Sequence, residues 1–464
     1  MQVLDSTLRE GELFKVLNPV ARVKLASRLG DAGFGRVELT VDYPPRTLRD
    51  EVRPVVSALK DRGVEVVMHG RAVKEDLDSM SAYDVEGCAL YIAVSRLHRE
   101  YKLRGISEDE ALGRLCDGVE KARSLGFKYV RGTLEDASRI FVEGGEDGLN
   151  TLRESIARVV SAGATIVSIP DTSGLLTPNG ASELFKSLRR GSRSSLSAHF
   201  HNDYGFASAN TVGAALEGAD ELHTTIMGVG DRNGIADAYE VVAALEDVHG
   251  IDTGIERRSL KPLYNYFSRV AGVELPWRHP LSESARTVRA GVHQSMTVRR
   301  GDGYIPSQKL ANDFGEPRFG VSEYISHNLI RAILSHHGPV TDEASRRVAE
   351  RVATAAANGA SSLDALMEIM SSETGIEVTR EELSRYFGGQ RFYVLLRLWP
   401  HYDAQEILDE LSSWESVDAV DEVYGEADMV VRMRSEPGSG NPVAALRQAF
   451  PSAIQSVQVL VMEN

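Results

Sequence analysis

From its start to about residue 250 the chain alternates short apolar runs with longer stretches whose apolar residues recur every three or four positions. The short runs predict strands over 2–6, 36–40, 64–68, 90–94, 129–132, 165–170, 195–201 and 221–227. The longer stretches predict helices, among them 19–32, 48–62, 108–125, 149–162 and 207–217. Gly30, Gly63, Gly126, Gly163 and Gly218 sit where such helices should stop and turn into the next strand. Eight strands, each followed by a helix, read as a closed (β/α)8 barrel; a doubly wound open sheet is the alternative.

The pattern then changes. An apolar, arginine-rich stretch over 260–276 leads into a mostly helical region, with helices expected over 331–337 and Asp342–Ala357. Beyond residue 390 come strands over 392–398, 417–423, 428–433 and 454–462, with helices over 404–414 and 442–450. That βαββαβ order is ferredoxin-like. A Gly/Ser/Pro turn falls at 435–441. The expected organisation is a barrel over 1–255, a helical lid over 256–388 and a ferredoxin-like domain over 389–464.

Polar residues gather where the barrel strands end, the face on which barrel active sites are built. Arg9 and Glu10 follow strand one, and His69 and Arg71 end strand three. Ser95 follows strand four. Arg131, Thr133 and Glu135 end strand five, and Asp171 and Thr172 end strand six. His199 and His201 end strand seven, and the loop from Gly228 through Gly230, Asp231 and Arg232 to Gly234 follows strand eight. His199 and His201 are two apart on a strand, so their side chains share a face. Two imidazoles with a carboxylate from elsewhere make a divalent-metal site with positions left open for substrate. Zinc, manganese and magnesium all suit such mixed ligation. Each residue also has a plainer reading. Thr172 reads equally as a turn cap, Arg131 as half of a structural ion pair with Glu135 or Asp136, and His223, His327, His336 and His337 as structural histidines.

The net charge of −15 over 464 residues argues against nucleic-acid or anionic-membrane partners. Two cysteines, Cys88 and Cys116, are too few for a disulfide framework. The N-terminus carries no signal-peptide pattern, and no apolar stretch reaches membrane-spanning length. A cytoplasmic location is expected.

With Asp5-Ser6-Thr7-Leu8-Arg9-Glu10-Gly11-Glu12, His199-Phe200-His201-Asn202-Asp203 and Gly228-Val229-Gly230-Asp231-Arg232-Asn233-Gly234, the first 335 residues or so resemble the metallolyase barrels that include homocitrate, isopropylmalate and citramalate synthases. The homocitrate branch is the nearest in pattern. The resemblance implies Glu10, His199 and His201 as metal ligands and Arg9 beside the reacting carbonyl. It implies Glu135, His293 and Tyr304 in proton transfer, with the last two reaching over from the partner of a homodimer. Substrate choice would fall to His69, Arg131, Thr133 and Thr172, and acetyl-CoA would lie against Gly228, Gly230, Asp231 and Arg232. A cation at Arg131 wants a second carboxylate, which 2-oxoglutarate has and 2-oxoisovalerate lacks. Two positions depart from the family pattern: Leu13 stands where glutamine is usual, and Asp231 where glutamate is usual. Val423-Tyr424-Gly425-Glu426-Ala427-Asp428 resembles the amino-acid-binding module of Lrp/AsnC-type regulators, which implies an effector turn at Gly425 and Asp428, lysine as a possible effector, or a pure oligomerisation role.

The expected activity is condensation of acetyl-CoA with 2-oxoglutarate to homocitrate, the first step of a lysine route. The alternatives are a sister synthase for another 2-oxo acid, a lyase of the same superfamily, and an inactive barrel serving as a regulator.

Overall fold

A computed structural model describes residues 1–41, 48–190, 192–306, 309–310, 313, 317–388, 391–412, 414, 416–434 and 442–461. The chain forms two compact units, Met1–Phe267 and Ser268–Asn464.

In the first unit eight parallel strands close into a barrel in sequence order. They are β1 (Gln2–Asp5), β2 (Arg36–Thr40), β3 (Glu65–Arg71), β4 (Gly87–Ala93), β5 (Tyr129–Glu135), β6 (Ile166–Asp171), β7 (Leu196–Phe200) and β8 (Glu221–Thr224). β1 pairs with both β2 and β8, which closes the ring and rules out the open sheet. Residues pointing out of the barrel, such as Val37, Met68, Leu90, Val130, Val167 and Leu222, are buried, as expected when apolar strand faces lie under helices.

Several boundaries differ from the sequence expectation. β3 and β5 run three residues further than predicted, so His69, Arg71, Thr133 and Glu135 lie within strands rather than beyond them. Their polar side chains read as loop, yet inward positions near a barrel mouth face a cavity and tolerate polarity. β8 stops at Thr224 because Met227 takes a left-handed conformation, φ 62°. The helix expected over 149–162 begins at Ala137 and is broken at Gly145, φ 55° and ψ −127°. Gly30 lies inside its helix, Pro19–Asp31, and not at its end; a Cβ there would meet Arg62 at 2.7 Å. The turn belongs to Gly33, φ +89°.

A helix from Arg257 to Ala271 follows the barrel. Tyr264 anchors it: its hydroxyl donates to Asp237 (2.9 Å) and accepts from the Tyr239 amide (2.7 Å).

In the second unit, Leu329, Ile330, Ile333, Val348, Leu366 and Leu383 form one apolar core. The helix expected over 331–337 forms over His327–Leu334, because Ser326 caps it by accepting from the Asn328 amide. Two short strands, β9 (Thr287–Val288) and β10 (Arg318–Phe319), pair beside it. A separate core containing Val394, Leu396, Leu411, Met429 and Val431 lies under a four-stranded antiparallel sheet. Its strands are β11 (Arg391–Leu398), β12 (Val417–Glu422), β13 (Met429–Arg434) and β14 (Ile454–Val461), in the order β12-β13-β11-β14. With helices Ala404–Leu411 and Pro442–Ala449 between them, this is the expected ferredoxin-like arrangement. The turn predicted at 435–441 and the strand end at Met462 lie outside the described residues. Among those described, no helix is long and apolar enough to cross a membrane.

Candidate active site

The barrel mouth holds a cavity of about 560 Å³. Arg9 and Glu10 line it from the turn after β1, and His199 and His201 from the end of β7. His69, Arg131, Thr133, Glu135 and Thr172 line it too, as do Asp231 and Arg232 of the loop after β8. The barrel thus brings most of the sequence-selected residues of the first unit to one cavity, from inward positions on the strands and from the turns that follow them; Ser95, Asp171, Gly228 and Gly230 are not among its lining.

Local contacts explain how the first turn is held. The Thr7 amide and hydroxyl both donate to Asp5, at 2.9 and 2.8 Å, and the Glu10 amide donates to the Ser6 carbonyl at 2.7 Å. Glu10 ends up buried, ion-paired with Arg9, and accepting from the Asp231 amide at 3.2 Å. Glycines make this approach possible. A Cβ on Gly230 would stand 2.9 Å from the Glu10 side chain, and one on Gly234 would stand 1.8 Å from the Gly228 carbonyl oxygen. The loop expected to bind a coenzyme therefore also packs the Glu10 side chain.

A charge network that sequence reasoning missed lies beneath the mouth. Glu38, 1% exposed, is ion-paired with Arg131, sits 3.5 Å from the Arg9 Nε, and accepts from the Ser6 hydroxyl at 2.7 Å. Arg131 is therefore not a cation waiting for a partner. Its NH1 lies 3.0 Å from His223 Nε2, while its Nε is buried without a hydrogen-bond partner. Deeper still, Glu221 pairs with Arg36 and accepts from the Tyr129 hydroxyl at 2.8 Å. Burial works to raise the Glu38 carboxyl, but Arg131 and Arg9 outweigh it and hold the group well below the usual carboxylate range. Glu221, equally buried, is brought down to about 2 by His223, Arg131 and Arg36. The signal for Glu38 was present: a lone carboxylate at an inward position of a strand.

The histidines are neutral. Burial, then the neighbouring His201 and His223, holds His199 well below the ordinary imidazole range. Burial, then Arg232 and Arg9, lowers His201 to about 4. Burial, then Arg9, also holds His69 well below the ordinary imidazole range; its ring stacks on Tyr91 with centroids 5.0 Å apart and its Nε2 accepts from Arg9 at 3.0 Å.

The donor types suit a divalent cation. His199 and His201 offer neutral imidazoles with ring centroids 5.2 Å apart, and the buried Nδ1 of His201 has no hydrogen-bond partner. Glu10 offers the carboxylate, here taken up by Arg9. Among the described residues no three His, Cys, Asp or Glu side chains stand together as a finished ligand set.

The remaining residues are placed as follows. Glu135 pairs with Lys102 and lies 3.3 Å from His98 Nδ1, two partners the sequence did not suggest. Ser95 does not face the cavity; its hydroxyl donates to Asp136 at 2.6 Å and caps the helix Arg96–Lys102. Thr172 accepts from the Asp136 amide at 2.9 Å, which ties it to the chain after β5 rather than capping the turn after β6, and it also lines the cavity. Thr133 lines the cavity with its hydroxyl unpartnered. Asp171 is buried and accepts from Ser138 and the Leu175 and Leu176 amides, so it shapes the turn. Arg232 is held by Asp203, Asp231 and the Thr172 carbonyl. In the second unit His293 and Tyr304 are exposed, with ring centroids 4.0 Å apart. Asp428 accepts from the Leu398 amide at 2.7 Å, and Gly425 takes φ +146° with open space around it.

An HMGL-like family model matches residues 1–266. The chain is 32% identical over 310 residues to a probable 2-isopropylmalate synthase of Ignicoccus hospitalis, covering 66% of this chain and 75% of that protein. It is 36% identical over 298 residues to a homocitrate synthase of Sulfolobus acidocaldarius, covering 63% and 61%. It is 31% identical over 350 residues to a putative (R)-citramalate synthase of Methanopyrus kandleri, covering 74% and 66%. The chain thus spans somewhat under two thirds of the last two relatives. Among solved structures, an HMG-CoA lyase of Bacillus subtilis superposes with a TM-score of 0.52 at 19% identity, over 59% of this chain and 95% of that one, a likeness of barrel fold.

Proposed function

The chain belongs to the HMGL-like family, and within it we propose an acyltransferase that condenses acetyl-CoA with a 2-oxo acid at the barrel mouth. We assign 2-oxoglutarate as that acid and homocitrate as the product. One observation carries the assignment. Beside the neutral histidines, the cavity's buried charges already balance: Arg9 with Glu10, Arg131 with Glu38. A divalent cation added there leaves two positive charges in a buried site, and a dicarboxylate neutralises both where a monocarboxylate neutralises one.

His199, His201 and Glu10 would hold the cation. Bound there, it supplies a Lewis acid for the keto oxygen of the oxo acid. With Glu10 among the residues that would hold the cation, Arg9, still beside Glu38 and His69, would offer its guanidinium to the negative charge that develops on that oxygen. Arg131, Thr133 and His69 face the far carboxylate. The acetyl methyl loses a proton, its carbon bonds to C2 of the oxo acid, and water then splits the thioester, releasing the CoA thiol. Glu135 is the barrel's own candidate for moving the methyl proton. The parts of His293 and Tyr304, as residues of a partner copy, and of Gly228, Gly230, Asp231 and Arg232 toward coenzyme A rest on the family resemblance.

Leu13 and Val16 also line the cavity. Their apolar side chains favour, as the second reading, an oxo acid with an apolar tail. Incubation of the purified chain with acetyl-CoA and 2-oxoglutarate, 2-oxoisovalerate or pyruvate, followed by mass analysis of the products, separates the readings. A homocitrate product supports the first; isopropylmalate or citramalate alone sinks it.

For the ferredoxin-like domain we propose an amino-acid effector role through the turn at Gly425 and Asp428, with lysine as the first candidate. Turnover and oligomeric state that are both indifferent to lysine would count against it.

A further inference from the structure

We propose that His223, held by Glu221, is a positioning residue that sets the tautomer of His199 and so decides whether His199 Nε2 offers a lone pair to a divalent cation. The inference rests on the metal reading above and adds residues that reading does not contain.

His223 is 1% exposed and meets three polar neighbours. Its Nδ1 lies 3.3 Å from His199 Nδ1. Its Nε2 lies 3.0 Å from Glu221 Oε1 and 3.0 Å from Arg131 NH1. A neutral imidazole has one N–H and one lone pair. A guanidinium can only donate and an ionised carboxylate can only accept. His223 Nε2 can therefore satisfy Glu221 or Arg131, never both.

The choice propagates. With its hydrogen on Nε2, His223 donates to Glu221 and keeps a lone pair on Nδ1. His199 must then donate from its own Nδ1, and its Nε2 is left with a free lone pair. With the lone pair of Nε2 turned to Arg131, His223 donates from Nδ1 to His199. His199 then carries its hydrogen on Nε2, where no cation can bind. Only the first arrangement gives a ligand, and it is the one in which the ligating histidine donates its second N–H to a buried acceptor. Arg131 has a stronger partner in Glu38, so yielding His223 Nε2 to Glu221 leaves its ion pair intact. Any substrate that draws Arg131 towards the cavity favours the same tautomer. The Glu-x-His spacing on β8 repeats the His-x-His spacing on β7, and both pairs point into the barrel.

The test is a cobalt(II) titration of the full chain after chelator treatment, followed by visible absorption. His223→Leu should weaken cobalt binding about 10- to 100-fold, the range for lost outer partners of a ligand. His223→Gln keeps one acceptor and one donor and should restore most of the affinity, an effect a merely structural residue would not show. Unchanged affinity in a folded His223→Leu chain overturns the inference while leaving the metal site standing. Absence of cobalt binding in the unmutated chain overturns both. Should the leucine variant not fold, ¹⁵N resonances of the metal-free, unmutated chain decide the matter: His199 protonated on Nδ1 supports the inference, and His199 protonated on Nε2 overturns it.

Discussion

Glu38 and Arg131 form an ion pair inside the barrel, with 1% and 2% of their side chains exposed. A buried pair is costly to break from one side, because the surviving charge stays desolvated. Glu38→Gln should therefore destabilise the chain by about 3 kcal/mol. Glu38→Gln combined with Arg131→Met should recover most of that loss but no turnover of a dicarboxylic oxo acid. Urea unfolding of the three chains checks this; equal stability of Glu38→Gln and wild type would show the pair to be dispensable.

The two loop glycines should separate stability from function. Gly234 is left-handed, φ +77°, and its missing Cβ would collide with the Gly228 carbonyl, so Gly234→Ala should cost about 2–4 kcal/mol. Gly230→Ala pushes mainly on the Glu10 side chain at 2.9 Å, with the Gly234 Cα at 3.2 Å. It should lower metal affinity more than it lowers the melting temperature. Thermal melts alongside metal titrations would reveal the reverse order, if it exists.

Stability should fall on mild acidification of the metal-free chain. His201 is lowered from 6.5 to about 4 in the folded state. Between those values the unfolded chain takes up a proton that the folded chain refuses. Its contribution is complete above about pH 6.5 and is lost as pH falls towards 4, amounting to about 3 kcal/mol. Unfolding free energies from pH 7 to 4 should slope less steeply in His201→Asn than in wild type. Identical slopes would contradict the assigned burial.

Arg9 should matter to rate more than to binding. Arg9→Gln removes a donor aimed at developing charge, a loss worth about 100-fold or more in kcat. Steady-state kinetics in which KM alone moves would place Arg9 in ground-state binding instead.

Much of this site was legible because its signals are local. His199-x-His201 lies on one strand, and Arg9-Glu10 on one turn. The barrel followed from period and spacing, and the ferredoxin-like order from alternating runs. Where expectation failed, the cause is that polarity was read as loop. Thr133 and Glu135 belong to β5, because a barrel's inner face near its mouth is polar without leaving the sheet. The partner of Arg131 was not legible, since Glu38 is 93 residues away and only barrel closure brings the two together. His223 carried a readable signal in its spacing from Glu221, but a buried histidine has no mark in sequence that separates packing from positioning.

The measurement that bears most directly on the central claim is release of free thiol from acetyl-CoA by the full chain with 2-oxoglutarate, run with zinc, manganese or magnesium and again with chelator. The account predicts turnover that chelator abolishes, that added metal restores, and that Glu10→Gln or His201→Ala reduces at least about 100-fold, beyond the range of outer-partner losses. Turnover that persists undiminished in chelator, or in both ligand variants, would contradict it.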